Sequence, residues 1–500
     1  MDQAPAQLHR PAVVVPRRGM VLAAALIATF MAAVESSIIA TAMPTIVGDL
    51  GGFRLFSWVF AAYLLTMAVT VPIYGRLADL YGRKRIFFVG TGIFLVGTTL
   101  CGLARSMIVL VVFRAVQGIG AGAIQPIAST VIGDIYTPAE RARVQGYMSS
   151  VFGVSAVIGP ALGAFVVEHG HWALVFWVNL PIGAVSIAMF AVYLPERVER
   201  RPHRIDYLGA VLLIVGVGAP MLALVQARSL DRAGLASLVG LGLAALAALG
   251  VHEARAPEPM VPFRLWRNRV IALANFGIFG TGSTMMAVSA FLPTYVQGVM
   301  GRSPGTAGLV LGSMSVSWMF SSFAAGRLMI RTSYRLAAAL GAVALVAGAA
   351  MLTQLQPSSA VAWAAAGSLV MGLGMGACNT AFLVSIQASV GWSERGVATG
   401  ANMFMRMIGQ SFGAALGGAI LNFGVFRRVP DAADAVNRLL EPALRRSLGA
   451  DEIARLSDAV GSSLHEVYLI ATVIAALTFV VALSFPAGLS PLRPAAPATR

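Results

Sequence analysis

Runs of about 20 apolar residues recur along the whole chain, separated by short segments that carry most of the charge. About 20 residues of α-helix span the roughly 30 Å hydrocarbon core of a bilayer. Soluble proteins contain about 25% charged residues, whereas this chain contains 11%, with 58% hydrophobic residues. Since only helices and closed barrels satisfy their backbone in lipid, the sequence predicts an all-α polytopic membrane protein.

We predict fourteen membrane spans, at 20–43, 56–75, 85–104, 108–131, 145–167, 172–194, 207–227, 233–251, 271–295, 306–326, 336–354, 360–385, 397–421 and 466–486. Most of the 36 Lys and Arg residues fall in segments that are cytoplasmic if both termini lie inside, as the positive-inside rule requires. The outer loop 422–465 is an exception, because it is rich in arginine. Its acidic residues and the spacing of its leucines suggest an amphipathic helix pair. Lys84 is the only lysine, a bias that suggests a GC-rich bacterial genome and hence a plasma (inner) membrane.

The net charge of +15 does not indicate a nucleic-acid partner, because the bases lie in short clusters between spans and not on one face. The two cysteines both fall in predicted spans and provide neither a disulfide framework nor a metal site. The sequence contains no phosphate-binding Gly-x4-Gly-Lys-Ser/Thr loop. We therefore expect no metal and no cofactor, with a proton gradient and not ATP as the energy source.

An internal repeat divides the chain. GIGAGA at 118–123 matches GLGMGA at 372–377, an offset of 254 residues that also aligns a Glu-Arg pair in a loop. The repeat predicts two six-helix bundles in parallel pseudo-repeat with two inserted helices. The expected organisation is a tail (1–19), an N-terminal bundle (20–194), a linker with the inserted helices (195–270), a C-terminal bundle that includes the outer loop (271–486), and a second tail (487–500).

Four segments together resemble the major facilitator superfamily. GRLADLYGRKR at 75–85 is similar to its loop 2–3 signature, RAVQGIGAG at 114–122 to the motif of proton-coupled members, and GVSAVIGPALGA at 153–164 to the antiporter motif. HWALVFWVNLPIG at 171–183, with the inserted helix pair, resembles the fourteen-span drug:proton antiporter branch. The resemblance implies a monomer whose two halves rock about a central site.

The resemblance also implies a cytoplasmic latch between the halves. Asp79 lies at the predicted inner membrane boundary beside basic residues and is expected to meet the helix that begins near Gly396, where a helix dipole favours negative charge. Its expected members are Arg76, Asp79, Arg83 and Asp134. A signal that only fixes topology is the alternative.

Charges inside the predicted spans are few. Glu35 lies about 12 Å from the outer end of the first span, and Arg114 about 9 Å from the outer end of the fourth. Burial favours the neutral form of a carboxyl group, whereas a nearby guanidinium favours the charged form. We therefore predict that Glu35 and Arg114 form the proton-coupling site, with Glu35 as the proton carrier. A purely structural ion pair is the alternative.

Small residues in the fifth span, Gly153, Gly159, Pro160 and Gly163, form the segment that resembles the antiporter motif. Gly409, Gly413 and Gly417 form a similar stripe in the thirteenth span. Such stripes allow helices to approach closely. They indicate either ordinary packing or an interface that moves during transport.

Polar residues in spans are candidates for substrate binding. They are Gln117, Gln125, Asn275, Asn379, Gln387 and Arg406, and amides among Met and aromatic residues suit varied amphipathic ligands. Arg406, about 14 Å from the cytoplasmic side, can bind an acidic head group. The alternatives are that its side chain extends to the membrane surface or that it pairs with another residue.

These features predict a proton-coupled exporter of hydrophobic or amphipathic small molecules that works by alternating access. Its partners are then a small-molecule substrate, protons and the lipid bilayer. An exporter of an endogenous lipid or an anionic metabolite is the alternative. An enzyme is not expected, because all six His residues lie at span ends or in loops. A channel would require rings of matching polar groups.

Overall fold

Long helices make up nearly all of the described part of the computed structural model, which covers residues 17–136, 138–195, 206–225, 230–256, 263–390, 395–429, 439, 445 and 447–486. The long helices in these ranges are α1 (Arg18–Leu50), α2 (Phe56–Tyr81), α3 (Arg83–Gly102), α4 (Met107–Ile135), α5 (Pro138–His169), α6 (Asn179–Tyr193), α7 (Tyr207–Val225), α8 (Arg232–Glu253), α9 (Arg269–Ser289), α10 (Pro304–Arg331), α11 (Tyr334–Leu352), α12 (Val361–Ala388), α13 (Arg395–Arg428) and α14 (Ala450–Leu483). Short helical segments occupy Phe53–Leu55, Leu174–Trp177, Phe263–Trp266, Leu292–Thr294 and Tyr295–Val299.

Thirteen helices in the described ranges are long and apolar enough to cross a membrane. The predicted fifth span, 145–167, falls on α5, which is not among the thirteen and has several side chains outside the described part of the structure. The all-α polytopic architecture is confirmed. The count of fourteen spans stays a prediction.

Several helices extend further than their predicted spans. α1 continues through Pro44 to Leu50, and α13 continues to Arg428. α14 begins at Ala450, sixteen residues before the predicted span, with two acidic residues in its first turn, where a helix N-terminus favours negative charge. Both ends of the predicted outer loop 422–465 therefore belong to membrane helices. The amphipathic helix pair expected there falls mostly outside the described residues.

Helix contacts repeat between the two halves. In the first half α1 packs on α5 and α6, and α2 and α3 pack on α4. In the second half the corresponding contacts join α9 to α13 and α14, and α10 and α11 to α12. Across the halves, α2 packs on α13 and α5 packs on α10. These two contacts are equivalent, because α2 corresponds to α10 and α5 to α13 in the repeat. The two-bundle pseudo-repeat is confirmed.

The inserted helices lie beside the seam between the halves. α7 packs on its partner α8 and also on α2 and α13, one helix from each half. The Ser411 hydroxyl on α13 lies 3.4 Å from the Met221 sulfur on α7. α7 therefore covers the α2–α13 side of the interface, with α8 packed against it.

The halves are joined at one end of the bundle, which the charge pattern predicts to face outward and which we term the predicted outer end. There the rings of Phe56 and Phe291 stack with their centroids 5.1 Å apart. The Asn422 side-chain amide donates to the Arg54 carbonyl at 2.9 Å, and the Gln297 amide donates to the Thr41 carbonyl at 3.2 Å. The Ser411 hydroxyl donates to the Ala61 carbonyl at 3.0 Å. These contacts close the predicted outer end.

Glycines set the spacing of the α9–α13 pair. A Cβ built on Gly409 or Gly413 would overlap the backbone carbonyl of Phe279 or Ser283 on α9. Backbone atoms cannot yield as a flexible side chain can. This stripe of α13 therefore serves packing within the second half, because only glycine permits this approach.

We expect Gly413→Ala to destabilise the protein by about 1–3 kcal/mol, the usual cost of overpacking. Gly400 on the same helix has open space around its Cα, so Gly400→Ala should be neutral or slightly stabilising. Thermal unfolding of the two variants in detergent measures the difference. Equal melting temperatures would show that the α9–α13 contact is not tight.

Candidate functional site

Glu35 of α1 and Arg114 of α4 form a buried ion pair. The Arg114 Nη1 atom lies 2.5 Å from the Glu35 Oε1 atom, and the two side chains are 1% and 0% exposed, respectively. The prediction that these residues meet is therefore correct. A buried charge costs several kcal/mol unless it is paired and hydrogen-bonded, and the surrounding residues supply those bonds.

The Glu35 carboxylate accepts hydrogen bonds from two further donors. The Gln117 amide donates to Oε1 at 2.9 Å, and the Asn179 amide donates to Oε2 at 2.5 Å. Both oxygens are thus engaged, and three donors surround one carboxylate. Donors of this kind stabilise the charged form. These donors therefore oppose the effect of burial, which favours the neutral form of the carboxyl group.

The Arg114 guanidinium is held by groups from its own helix and from α2. Its Nε donates to the Val59 carbonyl at 3.0 Å, and Nη1 donates to the Gln117 Oε1 atom at 2.6 Å. The Tyr63 ring lies under the guanidinium at 4.0 Å from its centroid, a cation–π distance. With the Glu35 carboxylate, four polar or aromatic contacts thus fix its position.

Local sequence explains why α4 presents this face. Arg114 and Gln117 are three residues apart and therefore lie on the same side of the helix. The next residue, Gly118, allows α2 to pack so close that a Cβ would overlap the Tyr63 carbonyl. On α3, Thr98 accepts a hydrogen bond from the Gln117 amide at 2.6 Å. The network therefore joins five helices of the first half: α1, α2, α3, α4 and α6.

Three members of the network were not predicted: Tyr63, Thr98 and Asn179. Asn179 lies in the HWALVFWVNLPIG segment, so a signal for it existed in the sequence. Nothing local distinguishes Tyr63 or Thr98 from other membrane residues of their type. Their roles depend on how α2 and α3 pack against α4.

The segment that resembles the antiporter motif lies between the halves. Gly159 and Gly163 of α5 face Ser37 and Ile38 of α1, and a Cβ on Gly163 would lie 2.7 Å from the Ile38 carbonyl oxygen. The Pro160 carbonyl faces the second half, at 2.8 Å from a Cβ built on Gly308 of α10. α5 therefore touches both the helix that carries Glu35 and the opposite bundle. Gly153 also lies on α5, but its surroundings lie outside the described part.

The latch residues are described only in part. The Arg83 guanidinium donates to the Thr130 carbonyl at 3.2 Å, which ties the start of α3 to α4. The side chains of Arg76, Asp79 and Asp134, and that of the residue before the expected contact at Gly396, lie outside the described part of the structure. The latch therefore stays a prediction.

The neighbouring Lys84 serves a helix end. Its Nζ donates to the Ala191 and Leu194 carbonyls at 2.7 and 2.9 Å. These groups lie at the C-terminal end of α6, where a cation is favourable. Part of the basic cluster thus stabilises the first bundle.

The predicted substrate residues separate into three groups. Gln117 belongs to the ionic network and is fully buried. Asn275 accepts from the Asn402 amide at 3.3 Å, and Gln387 donates to the Thr399 hydroxyl at 3.2 Å. The other three are partly buried: Gln125 on α4, and Asn379 and Arg406, which line one cavity together.

Comparison with known proteins identifies the chain's relatives. The family model described as Major Facilitator Superfamily matches residues 25–414. Multidrug resistance protein 3 of Bacillus subtilis (strain 168) is 34% identical over 471 residues, which cover 90% of this chain and 91% of that protein. Multidrug transporter protein MdtP of the same organism is 34% identical over 409 residues, 81% of this chain and 76% of that protein.

A solved structure supports the fold. The inward-facing, unoccupied form of a bacterial homologue of the human lysosomal transporter Spinster matches with a TM-score of 0.67 at 16% identity, covering 93% of this chain and 97% of that one. The family match, the relatives and the two-bundle fold agree with the resemblance of the sequence motifs. The chain is a multi-pass membrane transporter that belongs to the major facilitator superfamily.

Proposed function

We propose that this protein is a proton-coupled exporter of hydrophobic or amphipathic small molecules in the plasma membrane, and that Glu35 carries the proton. The observation that supports the proposal most strongly is the position of Glu35. Its carboxylate is fully buried, paired with Arg114 and bound by two amides. A carboxylate held in this way changes its preference for a proton when any of its donors moves.

The helices around Glu35 connect this change to movement of the halves. α5 packs against α1 immediately after Glu35 and against α10 of the second half. A rocking of the halves that shifts α5 therefore acts on the helix that carries the carboxylate. In the arrangement with a closed predicted outer end, the three donors favour the ionised state. Proton release toward the inside, and uptake when the outer end opens, would then drive export.

The direction of transport is supported by the relatives. Two proteins that match at 34% identity over most of this chain are named as multidrug resistance and multidrug transporter proteins. A fungal relative, 33% identical over 434 residues, is named an efflux pump. Export by the same route is the most economical proposal for this chain, and a bacterial plasma membrane is its expected location.

The test is transport in proteoliposomes with Glu35→Gln, which keeps the size of the side chain and removes its charge change. Under an imposed pH difference the wild type should accumulate an amphipathic dye against its gradient. The variant should lose this accumulation but still exchange dye down a gradient, because proton binding is removed and the binding cavity is not.

The matched control is Glu466→Gln. Glu466 also pairs with arginines, Arg427 and Arg428, at 2.6 and 2.8 Å, but it joins the last turn of α13 to the middle of α14 and is a third exposed. This variant should keep uphill accumulation. If Glu35→Gln accumulates dye as the wild type does, Glu35 is not the coupling residue.

The alternative of an anionic substrate keeps one observation in its favour. Arg406 is a partly buried cation in the second half, and its buried Nε atom has no hydrogen-bond partner among the described residues. A multidrug exporter of neutral compounds has no evident use for such a group.

A further inference from the structure

Arg406 lies near the middle of α13 and lines a small cavity inside the second half. The cavity lies among α9, α10, α12 and α13, and its lining residues are Ile278, Thr281, Gly282, Met285, Trp318, Met375, Asn379 and Arg406. These four helices correspond by the repeat to α1, α2, α4 and α5. The cavity therefore occupies the part of the second bundle that faces the first.

The Arg406 guanidinium has no hydrogen bond or ion pair with any residue in the described ranges, and its Nε is buried without a partner. An unpaired charge inside a membrane protein is costly, and such residues almost always face a cavity or a partner. Here the side chain faces the cavity. No described residue supplies the counter-charge, and the cavity is the space beside Arg406 that can admit one.

The other lining groups define what the ligand carries besides its charge. The Asn379 side chain also has no hydrogen bond within the described part, so one guanidinium and one amide are available to an oxyanion. Trp318, Met285 and Met375 offer an aromatic face and two polarisable thioethers. Together they match an acidic group attached to an apolar, aromatic body.

The two halves differ in their charges. At the repeat offset of 254 residues, Arg406 corresponds to Phe152, whereas Arg114 corresponds to Ser368. The ionic network of the first half thus has no copy in the second, and the unpaired cation of the second half has no copy in the first. The paired charges of the first half thus suit a proton site, and the unpaired cation of the second half suits a substrate site.

We propose that Arg406 is the anion-binding residue of the substrate site, and that the exported molecules include amphipathic anions whose carboxylate or sulfonate pairs with its guanidinium. The proposal rests on the exporter function proposed above and specifies the charge of its substrate. Arg406 and Asn379 bind the acidic group, and Trp318 and the two methionines contact the apolar body.

The cavity has a volume of about 10 Å³, room for roughly one water molecule. It is not sealed, because Met285, Trp318, Asn379 and Arg406 each remain partly exposed. Methionine side chains rearrange easily. The ligand therefore enters by displacing Met285 and Trp318 from the opening, with its acidic group leading toward Arg406.

The test compares two dyes with the same aromatic body. These are 8-anilinonaphthalene-1-sulfonate, an anion, and N-phenyl-1-naphthylamine, which lacks the sulfonate. Isothermal titration of the purified full-length protein in detergent measures both dissociation constants. The variants are Arg406→Met, Arg406→Lys and, as an exposed control, Arg302→Met.

For Arg406→Met we expect the dissociation constant of the anionic dye to rise at least about tenfold, as loss of a charge-assisted hydrogen bond predicts. The constant of the neutral dye should change less than about twofold. Arg406→Lys should keep most of the anion affinity, and Arg302→Met should match the wild type. The preference for the anion over the neutral dye is a readout that a packing defect does not produce.

Three results would overturn the proposal: equal losses for both dyes in Arg406→Met, no loss for either dye, or displacement of the anionic dye by phosphatidylglycerol but not by soluble aromatic carboxylates. The last result would assign the cavity to a lipid head group. Failure of the proposed function gives a different result from failure of the present proposal. In that case Glu35→Gln keeps uphill transport, while Arg406→Met still loses affinity for the anionic dye and not for the neutral one. Conversely, loss of uphill transport in Glu35→Gln with no dye preference at Arg406 contradicts only the present proposal.

Discussion

Replacing Arg114 with Met should destabilise the protein by about 3–5 kcal/mol, the usual cost of leaving one member of a buried ion pair without its partner. Arg114 is 1% exposed and its guanidinium contacts Glu35, Gln117, Val59 and Tyr63. Methionine fills much of the same volume without the charge. The variant should show a marked fall in melting temperature in detergent and no uphill transport.

The double variant Glu35→Gln/Arg114→Met separates charge from packing. Removal of both charges leaves no uncompensated ion, and buried pairs replaced in this way are often as stable as before. We therefore expect the double variant to recover more than half of the lost stability while remaining inactive in uphill transport. Arg302→Met, an exposed site, controls for the loss of an arginine. An Arg114→Met protein as stable as the wild type, or a double variant no more stable than the single one, would contradict this account of the site.

Cross-linking the predicted outer end should stop transport almost completely, to less than about a tenth of the wild-type rate, if the halves must separate there. Asn422 of α13 bonds to the carbonyl of Arg54, just before α2, at 2.9 Å, and neither side chain is buried. Cysteines introduced at both positions lie within reach of a short reversible cross-linker. Reduction should restore transport.

The native cysteines do not interfere with this experiment, because Cys101 and Cys378 are both buried. The wild type and each single cysteine variant, treated with the same reagent, provide the controls. A cross-linked protein that transports at the normal rate would show that the contacts among Phe56, Phe291, Asn422 and Arg54 do not open during the cycle.

Much of the fold was predictable because the signals are local or recur along the chain. Apolar runs of membrane length predicted the helices, and the GIGAGA and GLGMGA segments predicted the pseudo-repeat that the helix contacts confirm. The ends of α1 and α14 were not predictable in the same way. Pro44 and the acids at 451–452 are residues that commonly mark the end of a membrane helix. Here neighbouring helices accommodate Pro44 inside α1, and the N-terminus of α14 favours the two acids in its first turn.

The charged residues of the site were predictable from the sequence. Glu35 and Arg114 stand out because charged residues inside spans are rare and need partners. Tyr63 and Thr98 do not stand out, because aromatic rings and hydroxyl groups are common in membrane helices. Only the packing of α2 and α3 places them beside Arg114 and Gln117. Gln117 donates to Glu35 and accepts from Arg114, and its role in substrate binding stays a prediction.

The most direct measurement of the central claim is the number of protons released when substrate binds. Purified protein in detergent, in weakly buffered solution with a pH indicator, is titrated with 8-anilinonaphthalene-1-sulfonate. The account predicts proton release by the wild type and none by Glu35→Gln, with dye binding retained in both. Equal proton release per bound dye in the two proteins would contradict it.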